Sequence, residues 1–514
     1  MVGVGAGFKP ALLGFFPGDH GYRRESYMNR IVLFLLFFVG WCFCSAVSAG
    51  EGDAVVRRVL VLETTDIHAH IGTGDEEGDW LILAGMIGKA RKDAGGAENT
   101  LLLDCGDTLS GTLLGEVSKG AASVEMLNAL RYDAWIPGNH DFEFPRKRLL
   151  ELWGAVKPAK LAANLELSGA GTAGWRMFRK NGARVAVIGM TSPYLRKWLW
   201  GSRLTGLRLK GIFETLDKVV PEVFDAKPDM TILAIHQGRF PPVRLGGTAL
   251  AAIAERYPQI DLILGGHTHQ LVPGERLGKS RVWYVEPGGH GVALGRIEAE
   301  IDVERHLVVD IQSRLVPVAG RKADMSVLPE ESRKRLEKWI AATKRRARER
   351  VGRFAGGLKA ATKRLLEGMM SVSGAEAAFG RIPGDAAALS GDVTGRDLFD
   401  AVPYDDTVCV LELGRGEVMT VIQEQLDAAK DGKGALSWRG VTLKRAADGS
   451  PRLFLANGKE WESGSDKRIL VAFPSYDLGS AGGRYIKLAE IAGRPECRGR
   501  DTGTGVREAV GEGR

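Results

Sequence analysis

Apolar runs of strand length recur along the first 300 residues, and most of them stop at a small polar cluster. Arg58-Val59-Leu60-Val61-Leu62-Glu63-Thr64-Thr65 reads as a strand and runs into Asp66-Ile67-His68. Leu101-Leu102-Leu103 reads as a second, buried strand and leads to Asp104-Cys105-Gly106-Asp107. Trp135-Ile136-Pro137 precedes Gly138-Asn139-His140-Asp141-Phe142-Glu143. Val185 to Thr191 reads as a core strand, and Met230 to Ile235 as another that delivers His236. Ile260 to Leu264 ends at Gly265-Gly266-His267-Thr268-His269, where two glycines let the backbone turn. Val282 to Glu286 and Ile297 to Val303 read as the strands that close this first domain.

The pattern changes after Pro329. Leu336, Trp339, Ile340, Ala347, Val351 and Phe354 fall on one apolar stripe, which predicts a linker helix over residues 328–354 that Gly356-Gly357 ends. Residues 355–514 are enough for a second domain. They hold a turn-rich stretch from Gly380 to Gly391, strands around Val408–Leu411 and Ile469–Phe473, a helix from Gly416 to Ala429, and a tight loop at Gly482-Gly483-Arg484-Tyr485.

At 514 residues the chain is too long for one ordinary core. Its net charge of +7 is concentrated: residues 333–353 hold ten Lys or Arg and two Glu. The mature chain outside that segment is slightly acidic, so the basicity reads as the solvated face of the linker helix and no nucleic-acid partner is expected. Residues 1–49 read as an upstream extension and a signal peptide. Met28-Asn29-Arg30 is its charged start, Ile31 to Cys44 its apolar run, and Ala46-Val47-Ser48-Ala49 its cleavage site. That predicts an exported protein, periplasmic, extracellular or at the cell surface, without a stable membrane span in the mature form. Cys105, Cys409 and Cys497 are too widely spaced to imply a disulfide framework or a thiolate metal site.

The polar clusters carry the candidate chemistry. Asp66 and His68 share a side of extended backbone. Gly106 permits a turn that points Asp107 back over its strand end, although Asp107 could equally cap a helix. Asn139 offers a neutral oxygen, and His140 an acid or base that titrates near neutrality. Glu143 lies three residues on, where it could fix the His140 tautomer. Asp66, His68, Asp107, Asn139, His236, His267 and His269 make seven nitrogen or oxygen ligands with no thiolate. That set suits two divalent cations such as zinc, manganese or iron. Such a pair can ionise a bridging water and clamp the oxygens of a transferring phosphoryl group. His70 reads as a surface residue or one that backs the ligands, and His290 as structural or at the site rim.

Asp-x-His, Gly-Asp, Gly-Asn-His-Asp, the later His236 and Gly-His-Thr-His together resemble the calcineurin-like metallophosphoesterases, and in their order the 5′-nucleotidases and UDP-sugar hydrolases. The resemblance implies a four-layered α/β sandwich over residues 57–320 and an α/β substrate domain over 355–514, with the active cleft between them. It implies that Asp66, His68 and His269 hold one metal, that Asn139, His236 and His267 hold the other, and that Asp107 bridges. It further implies a catalytic His140 with Glu143 beside it, Asn164 near the site, and Tyr404 and Tyr485 as a base-stacking pair. Two departures fall in the second domain. Asp385 stands where the family's phosphate-binding arginine is expected, and Gly-Gly-Arg-Tyr replaces Gly-Gly-Asp-Gly.

The resulting expectation is an exported dimetal phosphohydrolase that acts on small phosphate esters, nucleotides or UDP-sugars, through a metal-bridging hydroxide. A cyclic phosphodiesterase or thiosulfohydrolase-like hydrolase on the same scaffold is the second reading, and a nucleotide-binding protein without catalysis the third.

Overall fold

Alternation along the first strand shows how the layers are built. In β1 (Val56–Thr64) Val59 and Val61 face one way and Leu60 and Leu62 the other, and all four are buried. A strand buried on both faces must lie between two layers. The computed structural model describes residues 55–72, 79–239, 250–354, 356–404, 406–432 and 434–512. The signal segment predicted over residues 1–49 lies outside the described residues.

Two six-stranded sheets stand face to face. The first runs in the order Leu307–Pro317, Ala293–Asp302, β1, β2 (Thr100–Asp104), β3 (Ala134–Trp135), Ala159–Lys160. The second runs Leu271–Arg276, Trp283–Pro287, Leu262–Leu264, Met230–Ile235, Ala183–Met190, Trp175–Lys180. Within it, Met230–Ile235 is β4 and Leu262–Leu264 is β5. Val59, Val61, Leu101 and Leu103 of the first sheet meet Val185, Val187, Ile232 and Leu264 of the second in one apolar core. The outer face of the first sheet packs on helices Trp80–Asp93, Ala121–Ala129 and Arg146–Ala155, and that of the second on Ile212–Asp225 and Leu250–Arg256. These are the four layers of the expected α/β sandwich.

β1 runs parallel to β2, β2 to β3, and β4 to β5. Their carboxyl ends therefore open at the same edge, where ligands collect in parallel sheets.

The C-terminal half has its own five-stranded sheet, ordered Ser437–Arg439, Ala377–Gly380, Arg468–Pro474, Thr407–Gly414, Arg500–Gly505. Helix Arg415–Lys430 covers one face, and helices Leu358–Ser373 and Val506–Glu512 the other. Both halves belong to one compact unit, Asp53–Arg514. Cys105, Cys409 and Cys497 are buried free thiols. Among the described residues no helix is long and apolar enough to cross a membrane.

The linker helix is shorter than its stripe predicts. It spans Glu330–Arg348, and Arg350–Phe354 is a strand paired with Gly391–Thr394. Val351 and Phe354 fit a helical stripe, but the helix stops at Glu349, whose backbone is extended, and pairing with a distant strand decides the rest. The helix is more than a solvated tether. Leu336 is fully buried against the first domain, and Arg335 donates to Glu125 at 2.7 and 2.8 Å.

Beneath the ligand edge a buried polar network ties strands to helix. Thr64 Oγ1 donates to Asp104 at 2.7 Å and lies 3.0 Å from the Tyr132 hydroxyl, which accepts from Trp80 Nε1 at 3.0 Å. Burial pushes the Asp104 carboxyl up to about 7, against the donors around it. Below pH 4 both folded and unfolded chains hold this proton. Between pH 4 and 7 only the folded chain does, so this group's contribution to stability falls as pH rises. The expected slope in metal-free protein is at most about 1.4 kcal/mol per pH unit. Urea unfolding of wild type and Asp104→Asn across that range checks it: the variant should lack this component, and identical slopes would contradict it.

Candidate metal centre

Three of the strands that end at the common edge, β1, β2 and β5, deliver their polar clusters through sharp backbone turns. Asp66, His68, Asp107, His267 and His269 have φ of 51°, 50°, 52°, 72° and 53°. Asp and His tolerate this left-handed region better than most residues, yet it still costs energy. The loops after β1 and β2 hold each other there: Asp66 N donates to Gly106 O at 2.7 Å, and His68 N to Asp107 O at 2.8 Å. Gly106 has φ +94°, and a side chain there would strike the backbone of Gly138. A side chain at Gly138 would strike the Asp107 carboxylate, so the loops after β2 and β3 can only approach this closely through glycine.

Two groups of three candidate ligands result, Asp66 with His68 and His269, and Asp107 with His236 and His267. Within each group the candidate donor atoms lie within 4.8 Å of one another. Asp107 Oδ2 lies 3.0 Å from His236 Nε2 and 3.9 Å from His68 Nε2, so this carboxylate stands between the groups. Asp66 Oδ1 is 3.3 Å from His269 Nε2, and His68 Nε2 is 3.3 Å from the same atom.

The second hydrogen bonds of these rings suit ligation. His236 Nδ1 lies 2.6 Å from Cys105 O and His68 Nδ1 3.2 Å from Ser110 O. A ring that donates through Nδ1 turns the Nε2 lone pair inward. Asn139 is buried, and its Oδ1 has no hydrogen-bond partner. An orphaned buried carbonyl beside two carboxylates and four imidazoles is what a cation would satisfy. Burial pulls His68 down and takes His267 to about 4, which keeps both neutral as ligands must be. Burial acts the same way on His236, but Asp107 overrides it and carries the ring to about 9. The Asp107 carboxyl is held well below its usual range, because His236 and His140 outweigh the burial that would raise it.

His140 sits beside both groups. Its Nδ1 is 2.5 Å from Glu143 Oε1, and Glu143 Oε2 accepts from Ser110 Oγ at 3.2 Å. The Tyr404 ring stacks on the imidazole at 4.9 Å between centroids. Burial would lower this histidine, but Glu143 and Asp107 together raise it to about 10.

Several further residues place the ligands without any signal strong enough to assign them from sequence. Asp141 is fully buried, and its carboxylate accepts from Asp107 N, Thr108 N, Leu109 N and Gly138 N at 2.8–2.9 Å. It sits inside the Gly-Asn-His-Asp motif, which was the only hint. Glu286 accepts from Thr268 Oγ1, Gln270 N and Tyr284 OH, and so clamps the loop that carries His267 and His269. Trp198 meets His267 edge-on at 4.7 Å. His70 and His290 stack on each other at 4.2 Å, and His290 also packs edge-on against His269.

The residues assigned to substrate fare differently. Tyr404 reaches the centre. Tyr485 does not fit a stacking role: it is fully buried in the C-terminal core, and its hydroxyl donates to Gly434 O. An aromatic after a glycine turn is equally suited to close a core, and here the core takes it. Asn164 is also fully buried, with Nδ2 donating to Thr191 O at 2.9 Å and Oδ1 accepting from Thr191 N at 3.0 Å. Those bonds clip it to the loop after Ala183–Met190. Asp385 is exposed, and its carboxylate accepts from Ala387 N at 2.8 Å, so it caps its own turn.

Residues 59–271 match the calcineurin-like phosphoesterase family. A 2′,3′-cyclic-nucleotide 2′-phosphodiesterase/3′-nucleotidase of Haemophilus influenzae is 24% identical over 46% of this chain and 39% of its own length. A 5′-nucleotidase of Vibrio cholerae is 22% identical over 91% of this chain and 93% of its own. The chain spans about half or less of the first curated relatives it matches, 39%, 28% and 51% of their lengths. Among solved structures, a 5′-nucleotidase precursor from Thermus thermophilus superposes with a TM-score of 0.61 at 18% identity, covering 89% of this chain and 96% of that one. At that identity the likeness is one of fold.

If Asp141 positions the ligand loops, Asp141→Asn should turn an amide N–H against backbone donors and loosen them. The expected result is a 10–100-fold fall in metal affinity with the fold retained. Metal titration beside circular dichroism measures both, and unaltered affinity would remove Asp141 from this role.

Proposed function

We propose that this chain, a calcineurin-like phosphoesterase of the 5′-nucleotidase family, is an exported hydrolase of nucleotide phosphoesters that works with two divalent cations. One observation carries the reading: two ligand groups share the Asp107 carboxylate as neighbour, and the His140–Glu143 pair stands beside them.

Asp66, His68 and His269 would hold one cation, and Asn139, His236 and His267 the other, with Asp107 common to both. When bound, such a pair ionises water near neutral pH and offsets charge on phosphoryl oxygens. The protein does the rest. His140 is anchored through Nδ1 by Glu143 and kept in plane by Tyr404, which leaves Nε2 to hold or deliver a proton. The leaving oxygen of the ester needs that proton as the P–O bond breaks. The rigid edge of two packed sheets holds the ligands in place before substrate arrives.

In the C-terminal half two arginines share one buried carboxyl. Arg381 and Arg484 both act on Asp477, a buried carboxyl beside Tyr476, opposing the burial that raises it to about 7. Asp385 is turned into its own cap, its carboxylate occupied by Ala387 N. Export rests on the residue 28–49 segment alone. The choice among nucleoside monophosphates, cyclic nucleotides and UDP-sugars is one for a panel of esters assayed with added manganese or zinc.

His140→Ala should keep two metal ions per chain and lose 10²–10⁴-fold in kcat across that panel. Elemental analysis alongside steady-state kinetics checks both halves. Full activity of the variant on every ester would remove His140 from the chemistry, and a wild type inert toward all of them would sink the hydrolase reading.

A further inference from the structure

A cavity of about 880 Å³ opens against the partners of His140. Ser110, Glu143 and Tyr404 line it, and each of them touches His140: Ser110 through the His140 carbonyl, Glu143 through Nδ1, Tyr404 through the ring face. Its volume falls within the range of small-molecule sites. Its walls come from both halves of the protein. Lys119, Lys147 and Arg148 belong to the phosphoesterase half, Arg346 to the linker helix and Arg507 to the C-terminal helix.

The charge of this cavity is one-sided. Six lining residues are Lys or Arg and three are Glu. All three glutamates are engaged, Glu143 with His140, Glu116 with Arg507 and Glu151 with Arg148 at 3.0 Å, and Arg346 pairs with Glu349 at 2.7 Å, so most of the surplus rests on Lys119 and Lys147. Phe144, Phe399 and Pro403 supply apolar wall, with the Arg507 guanidinium 5.2 Å over the Phe399 ring. A concave, partly apolar space with surplus positive charge concentrates anions.

Position gives this charge a meaning. In hydrolysis a water oxygen bonds to phosphorus, the P–O bond to the leaving group breaks, and the leaving oxygen takes a proton to become an alcohol. If His140 supplies that proton, the leaving group departs among the residues that surround His140. We propose that this cavity receives the leaving-group side of the substrate and favours leaving groups that carry a second anion, such as another phosphate. The proposal rests on the hydrolase reading and adds to it a substrate class, the bisphosphorylated ester.

The test compares a nucleoside 3′,5′-bisphosphate with the matching 5′-monophosphate. Lys119 and Lys147 are exposed at the cavity wall, so Lys119→Gln/Lys147→Gln should not disturb folding. A Lys334→Gln/Lys338→Gln protein removes equal charge from the linker helix outside the cavity and serves as control. The ratio of kcat/KM for bisphosphate over monophosphate should be at least tenfold higher in wild type and control than in the cavity variant. An equal ratio in all three, or an equal fall in the control, overturns the proposal while leaving the hydrolase reading intact. Calorimetric binding of the bisphosphate to the same proteins gives a reading without turnover. A tenfold weaker affinity confined to the cavity variant supports the site even if no ester is hydrolysed, and equal affinities count against it.

Discussion

The centre of this protein depends on strands that stop and turn the wrong way. Five of the seven candidate ligands sit in left-handed backbone, a conformation that costs an ordinary residue about 1–2 kcal/mol. Summed over five positions, that cost is comparable to the net stability of a typical domain. The turns persist because the loops hydrogen-bond to one another rather than to water. The β1 loop donates into the β2 loop, and the Asp141 carboxylate gathers four amides from the loops after β2 and β3. Only in that conformation do the side chains point back over the strand ends into one space.

Sheet geometry makes the convergence possible. Parallel pairing within each sheet puts β1, β2 and β3 at one edge and β4 and β5 at the matching edge of the facing sheet. The centre lies at the seam of the two sheets, over a dry core of interdigitated Val, Leu and Ile. A core of that density moves little, and a metal site needs ligands that do not move. The price is a set of buried carboxyls beneath and beside it. Asp104 is hydrogen-bonded into a Thr–Tyr–Trp network, and Glu286 is spent on holding the histidine loop.

Much of the site was legible along the chain. Apolar runs of four to eight residues followed by Gly, Asp and His mark a buried strand and a ligand-bearing loop, and each mark is local. The supporting residues were not legible, since the role of Asp141 exists only when the loop at Asp107, 34 residues away, folds onto it. The end of the linker helix failed for a related reason. Val351 and Phe354 satisfy a helical stripe, yet Arg350–Phe354 pairs with Gly391–Thr394, and a partner so far along the chain leaves no trace in local periodicity. Tyr485 and Asn164 show the same limit at the level of single residues. Each has a side chain fit for substrate, and each is absorbed by core contacts instead.

The chain by itself determined which strands form, which residues can bind a cation, and that nitrogen and oxygen donors would do so without sulfur, because these properties follow from residue type and near-neighbour spacing. Tertiary structure decided which candidate donors group together, that Asp107 stands between the two groups, that Tyr404 and not Tyr485 faces His140, and that a cationic cavity opens beside that histidine. Those outcomes are set by contacts between residues tens to hundreds of positions apart, and a distance across a fold is not encoded in the spacing along a chain.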